Sequence, residues 1–428
     1  LTVTNEQTYD YNGYKLHVID SKKFKTVDIV VKFKATLAKD TITYRALLPF
    51  VLQQGTRNYP TQHQFRQALD NLYGAHLSID GGKKGNNHIL SFRMEVANQA
   101  YLTTETNIFE EAIKFLHEVI YFPKATEQSF DTNVVTREKQ TLKQKINAIV
   151  DNKMSYANMR LIDEMCEDES YRLHVHGYEE DLDTIDEKNL YRYYQQLLQE
   201  DKMDIYVLGD FSSMNVSEDI QSYFNADRQP KVNQIQEEKP TIQQAKEVIE
   251  KQPVQQAKLH LGYRSSITFA DPLYPALQVF NGVFGGFPSS KLFMNVREKN
   301  SLAYYAASRF ESHKGLLFVF SGIDPKDFYK AKEIIVAQMD DMVNGEFSAD
   351  DVEEAKKQIT NQRKETIDNP NGLIEILYHQ VLAETTQTPE DFLSQISTVT
   401  KADVLKVAQQ LQLDTVYFLT AEGGENDE

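Results

Sequence analysis

"LYRYYQQLLQEDKMDIYVLGDF", residues 190–211, reads as a helix, a polar turn and a strand. "VLKVAQQLQLDTVYFLTAEG", residues 404–423, runs in the same order, with "TVYFLT" in the place of "DIYVLG". The echo extends upstream. "VDIVVKFKA" (27–35) alternates Ile29, Val31 and Phe33 on one face, and "QAKLHLGYR" (256–264) does the same with Leu259, Leu261 and Tyr263. A polar stretch, a helix and a glycine follow each of these strands. Each half therefore starts on a core strand, passes through helices and ends with a helix feeding a last strand. This predicts an α+β fold of two homologous domains, each a mainly antiparallel sheet with helices packed on one face. The stretch from Asp227 to Gln244 is polar and holds two prolines, which is linker composition. The expected boundaries are 1–226 for the first domain, 227–246 for the linker and 247–428 for the second, with the division near residue 236.

The bulk numbers agree with two folded domains. A chain of 428 residues exceeds what one hydrophobic core usually organises, and 41% hydrophobic with 25% charged is ordinary for a globular protein. The net charge of −17 argues against nucleic acid as a partner, because phosphate binding needs a concentrated basic surface. It suits solubility, and also a cavity that receives basic or mixed peptides. No run of about 18 apolar residues occurs, so no membrane span is expected. The opening "LTVTNEQTYDYNGYKL" lacks the basic-then-apolar order of a secretory signal. One cysteine, Cys166, leaves no internal disulfide, reads as a buried structural thiol and fits a reducing cytoplasm. The tail "AEGGENDE" has the composition of a disordered segment.

"TITYRALLPFVLQQGTRNYP" (41–60) has the outline of a short apolar helix with Gly55 placed as a left-handed cap. Pro49 sits inside it, where it removes a backbone donor and should bend the helix. "TNIFEEAIKFLHEVIYFP" (106–123) puts Ile108, Ala112, Phe115, Leu116 and Val119 on one side. In "SADDVEEAKKQITNQRKETIDNPNGLIEILYHQVLA" (348–383), Ser348 caps an acidic first turn and "DNPNG" separates two helices.

One long gapless stretch adds a resemblance. "VFGGFPSSKLFMNVREKNSLAYYAASR" (283–309) is similar to the C-terminal signature of the M16 (insulinase or pitrilysin) metallopeptidase family, and the order of parts matches over nearly the whole chain. The small bacterial half-size members are the nearest branch. The resemblance implies two related domains forming half of a clamshell around a peptide chamber. Active members carry His-x-x-Glu-His on a first-domain helix, shortly before a Gly-Thr. One turn separates its histidines, so both face one zinc, and the glutamate serves as base. Setting Gly55-Thr56 against that Gly-Thr puts Ala46 and Phe50 at the histidine positions and Pro49 at the glutamate. "TREKQTLKQKINAIV" (136–150) is similar to the helix bearing the third ligand, with Glu138 at the supporting acid and Lys145 at the ligand. None of Ala46, Pro49, Phe50 or Lys145 can replace a zinc ligand or the base, so no metal or cofactor is expected in this chain. In the second domain, the family's substrate-contacting Arg and Tyr fall on Arg297 and Tyr304. An Arg offers donors in a fixed fork and a Tyr adds a hydroxyl for a developing oxyanion. The plain reading is that Arg297 pairs with a carboxylate and Tyr304 packs in the core. Gly285 and Gly286 read as a tight turn, either for close approach of a substrate or simply leading into a helix.

Three functions remain open at this point. The first is a non-catalytic subunit of a heterodimeric zinc peptidase, in which a partner with the intact motif holds the zinc and this chain supplies peptide grip and closure. The second is a non-enzymatic peptide-binding or scaffold protein, a homodimer. The third is a hydrolase with a metal near His174 and His176, which share a face if "LHVHGYEED" (173–181) is a strand. His260, pointing away from Leu259 and Leu261, reads as solvated.

Overall fold

The computed structural model describes residues 5–103, 106–212, 214–231 and 242–421. Residues 232–241, half of the expected linker, and nearly all of the acidic tail lie outside them. The chain divides into two compact units, Leu1–Ala148 with Leu173–Gln236, and Ile149–Arg172 with Glu237–Glu428.

The first unit holds strands β1 (Glu6–Tyr11), β2 (Tyr14–Asp20), β3 (Thr26–Thr36), β4 (His76–Lys84) and β5 (Asn87–Ala97), a small hairpin β6 (Ala125–Thr126) and β7 (Ser129–Phe130), and β8 (Lys202–Gly209). Its helices begin with α1 (Ile42–Leu52), α2 (Gln62–Asn71), α3 (Ile108–Tyr121) and α4 (Thr132–Asp151). The chain leaves for α5 (Lys153–Met165) and returns with α6 (Glu179–Leu182), α7 (Glu187–Glu200) and α8 (Val216–Tyr223). The sheet order is β1-β2-β8-β3-β5-β4, antiparallel except where β2 meets β8.

The second unit has β9 (Lys246–Gln252), β10 (Ala257–Arg264), β11 (Ala303–Glu311), β12 (Leu316–Ile323) and β13 (Gln412–Ala421). Its helices are α9 (Tyr274–Asn281), α10 (Phe328–Asn344), α11 (Ala349–Ile367), α12 (Pro370–Ala383), α13 (Pro389–Thr398) and α14 (Lys401–Ala408). The order β11-β12-β10-β13-β9 repeats the first sheet without β1, and its one parallel pair, β13 with β9, falls at the matching place. The α+β class and the echo between "DIYVLG" and "TVYFLT" are thus seen as β8 and β13, each antiparallel to the central strand of its sheet.

Local chemistry explains the helix ends. Ser348, Thr388 and Thr400 each form a reciprocal capping box with the aspartate at the third helical position. Asn369 caps α12, with Pro370 at its first turn. The apolar faces of α1, α3 and α7 bury Leu47, Leu48, Phe115, Leu116 and Leu197 against Ile29, Val31 and Phe33 of β3 in one continuous core. A second core gathers Leu259, Leu261 and Tyr263 of β10 with Phe280, Phe284 and Ile335. Among the described residues, no helix is long and apolar enough to cross a membrane.

Three local expectations change. Residues 149–172, expected in the first domain, belong to the second unit, where Ala157, Leu161 and Met165 of α5 pack on Phe318, Phe320 and Tyr417. Gly262 admits this contact, since a Cβ there would stand 2.0 Å from Met165 Sδ. That layer covers the face of β10 expected to be solvated. His260 is consequently fully buried, edge-on to Phe320, and burial, with the Lys258 charge second, holds its pKa down at about 3. Cys166 is buried in the same layer. Next, α1 runs unbroken through Pro49 and stops at Leu52. Gly55 is not its cap, but shapes the following loop at φ 150°, where a Cβ would meet the Tyr59 carbonyl at 2.9 Å. Finally, the polar stretch after residue 226 is anchored where it is described. Arg228 is buried and donates to the carbonyls of Leu198, Gly13 and Asp201.

Candidate functional site

The positions assigned to zinc ligands converge in the first unit. α1 is held in place by Arg45, a cation inside the apolar run "YRALLPF". Its fully buried guanidinium donates to His88 Nδ1 at 2.9 Å, Asp201 Oδ2 at 2.7 Å and the carbonyl of Phe33 at 3.2 Å. Next to it Ala46 is buried, and one turn on Pro49 is buried and Phe50 half-buried. α4 brings Lys145 to them, with Nζ 5.3 Å from the centre of the Phe50 ring. Glu138, on the same helix, is buried and accepts from Arg137 Nε at 2.7 Å.

The electrostatics of this place oppose a dication. His176 is held neutral down to about 4, first by burial, then by the Lys145 charge and by His174. His88 is pushed well below the usual imidazole range by burial, with Arg45 next. A methyl, a pyrrolidine ring, a phenyl ring and an ammonium stand where zinc would need three lone-pair donors and a base, so these residues do not fit the metal. Among the described residues, no three of His, Cys, Asp or Glu converge anywhere in ligating geometry. "LHVHGYEED" forms a turn and the start of α6 rather than a strand. Gly177 N–H donates to the His174 carbonyl, and the His174 ring stacks on Tyr178. The shared strand face that a His174–His176 metal would require is therefore absent.

The second constellation lies between α9 and the edge strand β11. α9 passes directly into a π-helical turn, Gly282–Gly286, and a second π-helical run spans Phe293–Lys299. Such turns are rare and are frequently found at functional sites. Gly285 and Gly286 lie in the first, so they form no tight turn with left-handed backbone. Their small size is required by packing. A Cβ on Gly285 would meet Ser308 Oγ at 2.5 Å and Leu292 Cδ1 at 2.6 Å, and one on Gly286 would meet Asn281 at 2.9 Å.

Arg297 sits on the second π run, 44% exposed, over the Phe293 ring at 4.7 Å and with Nε 3.6 Å from the Glu298 carboxylate. That exposed contact with its own neighbour is weak and leaves the guanidinium donors available. Tyr304 is 71% exposed, so it is not a core residue. It occupies an irregularity in the ladder, where pairing steps from Ala303↔Ile323 to Tyr305↔Gly322. An extra residue of this kind re-aims its side chain out of the regular pleat. Among the described residues β11 pairs through β12 alone, so its other edge offers backbone groups to an extended peptide. Of these features, the network around Arg45 was missed from sequence. Its one signal was a charge on the apolar face of α1.

Residues 184–359 match the family model described as "Peptidase M16 inactive domain". The chain is 46% identical to "Probable inactive metalloprotease YmfF" of Bacillus subtilis (strain 168), across 99% of this chain and 100% of the relative. It is 24% identical, over 66% of its length and 69% of the relative, to "Uncharacterized zinc protease YmxG" of the same organism. Among solved structures, a conserved protein from Enterococcus faecalis V583 superposes with a TM-score of 0.91 at 34% identity, covering 99% of this chain and 100% of the other. A peptidase M16 inactive domain from Pseudomonas fluorescens gives 0.81 at 17% identity, over 99% of each, a likeness of fold alone.

Proposed function

The chain belongs to the M16 peptidase family, as an inactive-type member, and we propose that it is the non-catalytic subunit of a two-chain zinc peptidase. In this reading a partner of the same family holds the zinc and the general base. This chain contributes peptide grip through Arg297 and Tyr304 and helps enclose the substrate. One observation carries the proposal: the groups at the metal positions cannot ligate, while the Arg and Tyr that need no metal stay exposed beside a free strand edge. A substrate strand laid along β11 would gain backbone hydrogen bonds, with Arg297 and the Tyr304 hydroxyl reaching its carbonyls. A cytoplasmic location, in keeping with the single cysteine, belongs to the same proposal.

The test mixes this chain with an M16 chain carrying intact His-x-x-Glu-His and follows cleavage of a quenched fluorescent peptide. Hydrolysis only in the mixture, lost on Arg297→Ala or Tyr304→Ala with folding unchanged, is the expected result. Peptide binding by this chain as a homodimer, without rate enhancement in any mixture, would instead support a peptide-binding scaffold.

A further inference from the structure

The second sheet leaves open an edge that the first sheet covers. In the first sheet β1 lies antiparallel on β2, and β2 runs parallel to β8. β9 takes the place of β2 beside β13, but among the described residues no strand lies on its outer side. The chain enters β9 from the β13 side, where Gln412 Nε2 donates to the Ile242 carbonyl at 2.9 Å. Edge strands are commonly blunted by a proline or a bulge. β9 has neither: "KEVIEKQ" pairs with β13 along its whole length without a shift. Its central residue, Ile249, is 51% exposed. Ile249 stands in register with Phe418, whose ring stacks on Phe328 at 4.2 Å, so it carries the core out to the open edge. The opposite face pins the strand. There Glu250 accepts from the Tyr156 and Tyr417 hydroxyls, each at 2.7 Å, and from Arg160 Nε at 3.3 Å.

We propose that β9 is a contact between two copies of this chain, pairing antiparallel with its counterpart about a two-fold axis at Ile249. The charges on the strand are complementary to themselves in that register. Ile249 meets Ile249 of the second copy, and on the same face Glu247 lies opposite Lys251 and Lys251 opposite Glu247. Lys251 is exposed and makes no ion pair among the described residues, while Glu247 bonds Lys332 and stays exposed. On the other face Val248 lies opposite Glu250 and Lys246 opposite Gln252, so no like charges meet. The register one residue away, with Val248 opposite Ile249, sets Lys246 against Lys251 and Glu247 against Glu250, which disfavours it. The paired strand gives β9 the antiparallel cover that β1 gives β2, and two five-stranded sheets become one. None of these residues belongs to the proposed peptide site, so the pairing stands or falls independently of peptide grip.

Sedimentation velocity of the full chain over a concentration series should show a reversible monomer–dimer equilibrium. Lys251→Glu should raise the dimer dissociation constant about tenfold, because two like-charge pairs then replace two attractive ones. Adding Glu247→Lys to it should restore the original value, and thermal unfolding of each variant checks that the fold is kept. Oxidation reads the register. Residues directly opposite in an antiparallel pair have Cα atoms about 4.5–5.5 Å apart, within reach of a disulfide. Ile249→Cys should therefore cross-link two copies under mild oxidation. Glu247→Cys should not, since four residues of offset hold it roughly 14 Å from its counterpart. The natural Cys166 is buried and stays out of the reaction. A monomer at every concentration would overturn the pairing, as would association only with a zinc-bearing M16 chain. A dimer that Lys251→Glu leaves intact, or that Ile249→Cys fails to cross-link, would refute β9 as its contact.

Discussion

Replacing Arg45 by methionine tests whether one buried cation positions α1. The guanidinium is fully buried and donates to Asp201, Tyr193, His88 and the Phe33 carbonyl. Asp201 is 6% exposed, and burial raises its pKa even with Arg45 beside it as the main opposing influence. Arg45→Met leaves that carboxylate without its principal partner, and breaking one side of a buried pair costs about 3–5 kcal/mol. For a cooperative unit of this size the loss corresponds to a fall in Tm of about 6–20 °C. Calorimetry on the full chain measures it, and the double variant with Asp201→Asn should recover part of the loss, since no buried charge is then left alone. The sign with pH follows from Asp201. Without Arg45 its folded-state pKa rises further, so the folded variant takes up a proton before the unfolded chain does. The deficit therefore narrows as pH falls through that raised pKa. A loss below about 1 kcal/mol at neutral pH would refute the reasoning, because such a value belongs to an exposed pair.

Other outcomes follow from the second unit. His260 stays neutral to about 3, while the unfolded chain protonates near 6.5, so the unfolded state binds more protons throughout that window. Stability should fall as pH drops from about 6.5 toward 3, by up to 1.4 kcal/mol per pH unit, and His260→Leu should remove this slope in denaturant titrations. Gly285→Ala forces a methyl to within 2.5 Å of Ser308 Oγ and should cost about 1–3 kcal/mol of stability. Gly82→Ala in β4 of the first unit, with nothing within 4 Å of its Cβ, serves as the control and should change stability by less than about 0.5 kcal/mol.

Much of this architecture could be read before any coordinates, because its signals are local. A helix, a turn and a strand recur at 190–211 and 404–423, the cap at Ser348 sits where helix chemistry places it, and the break at "DNPNG" falls between α11 and α12. What covers a strand is not local. The alternation in β10 reports which residues oppose one another, yet the layer over His260 comes from α5, roughly a hundred residues earlier in sequence. Gly285 and Gly286 were legible as a turn, with its purpose left open, but not as a π-helical turn, since two glycines suit either backbone. The exposure of Tyr304 depends on an irregularity in the ladder with β12, which no residue pattern within β11 announces. The positions assigned to zinc ligands could be named only through resemblance, for alanine, proline and phenylalanine carry no chemistry of their own to mark them. The approach of Lys145 to Phe50 across two helices needed coordinates.

The most direct measurement is a calorimetric zinc titration of two full-length proteins, the natural chain and a variant combining Ala46→His, Pro49→Glu, Phe50→His and Lys145→Glu. The natural chain should show no stoichiometric binding, and the variant should take up one zinc, because α1 and α4 already bring those positions together. One tightly held equivalent in the natural chain would contradict the claim that this unit has lost its metal chemistry. A folded variant that binds none would show that the four positions are not the remains of a zinc site.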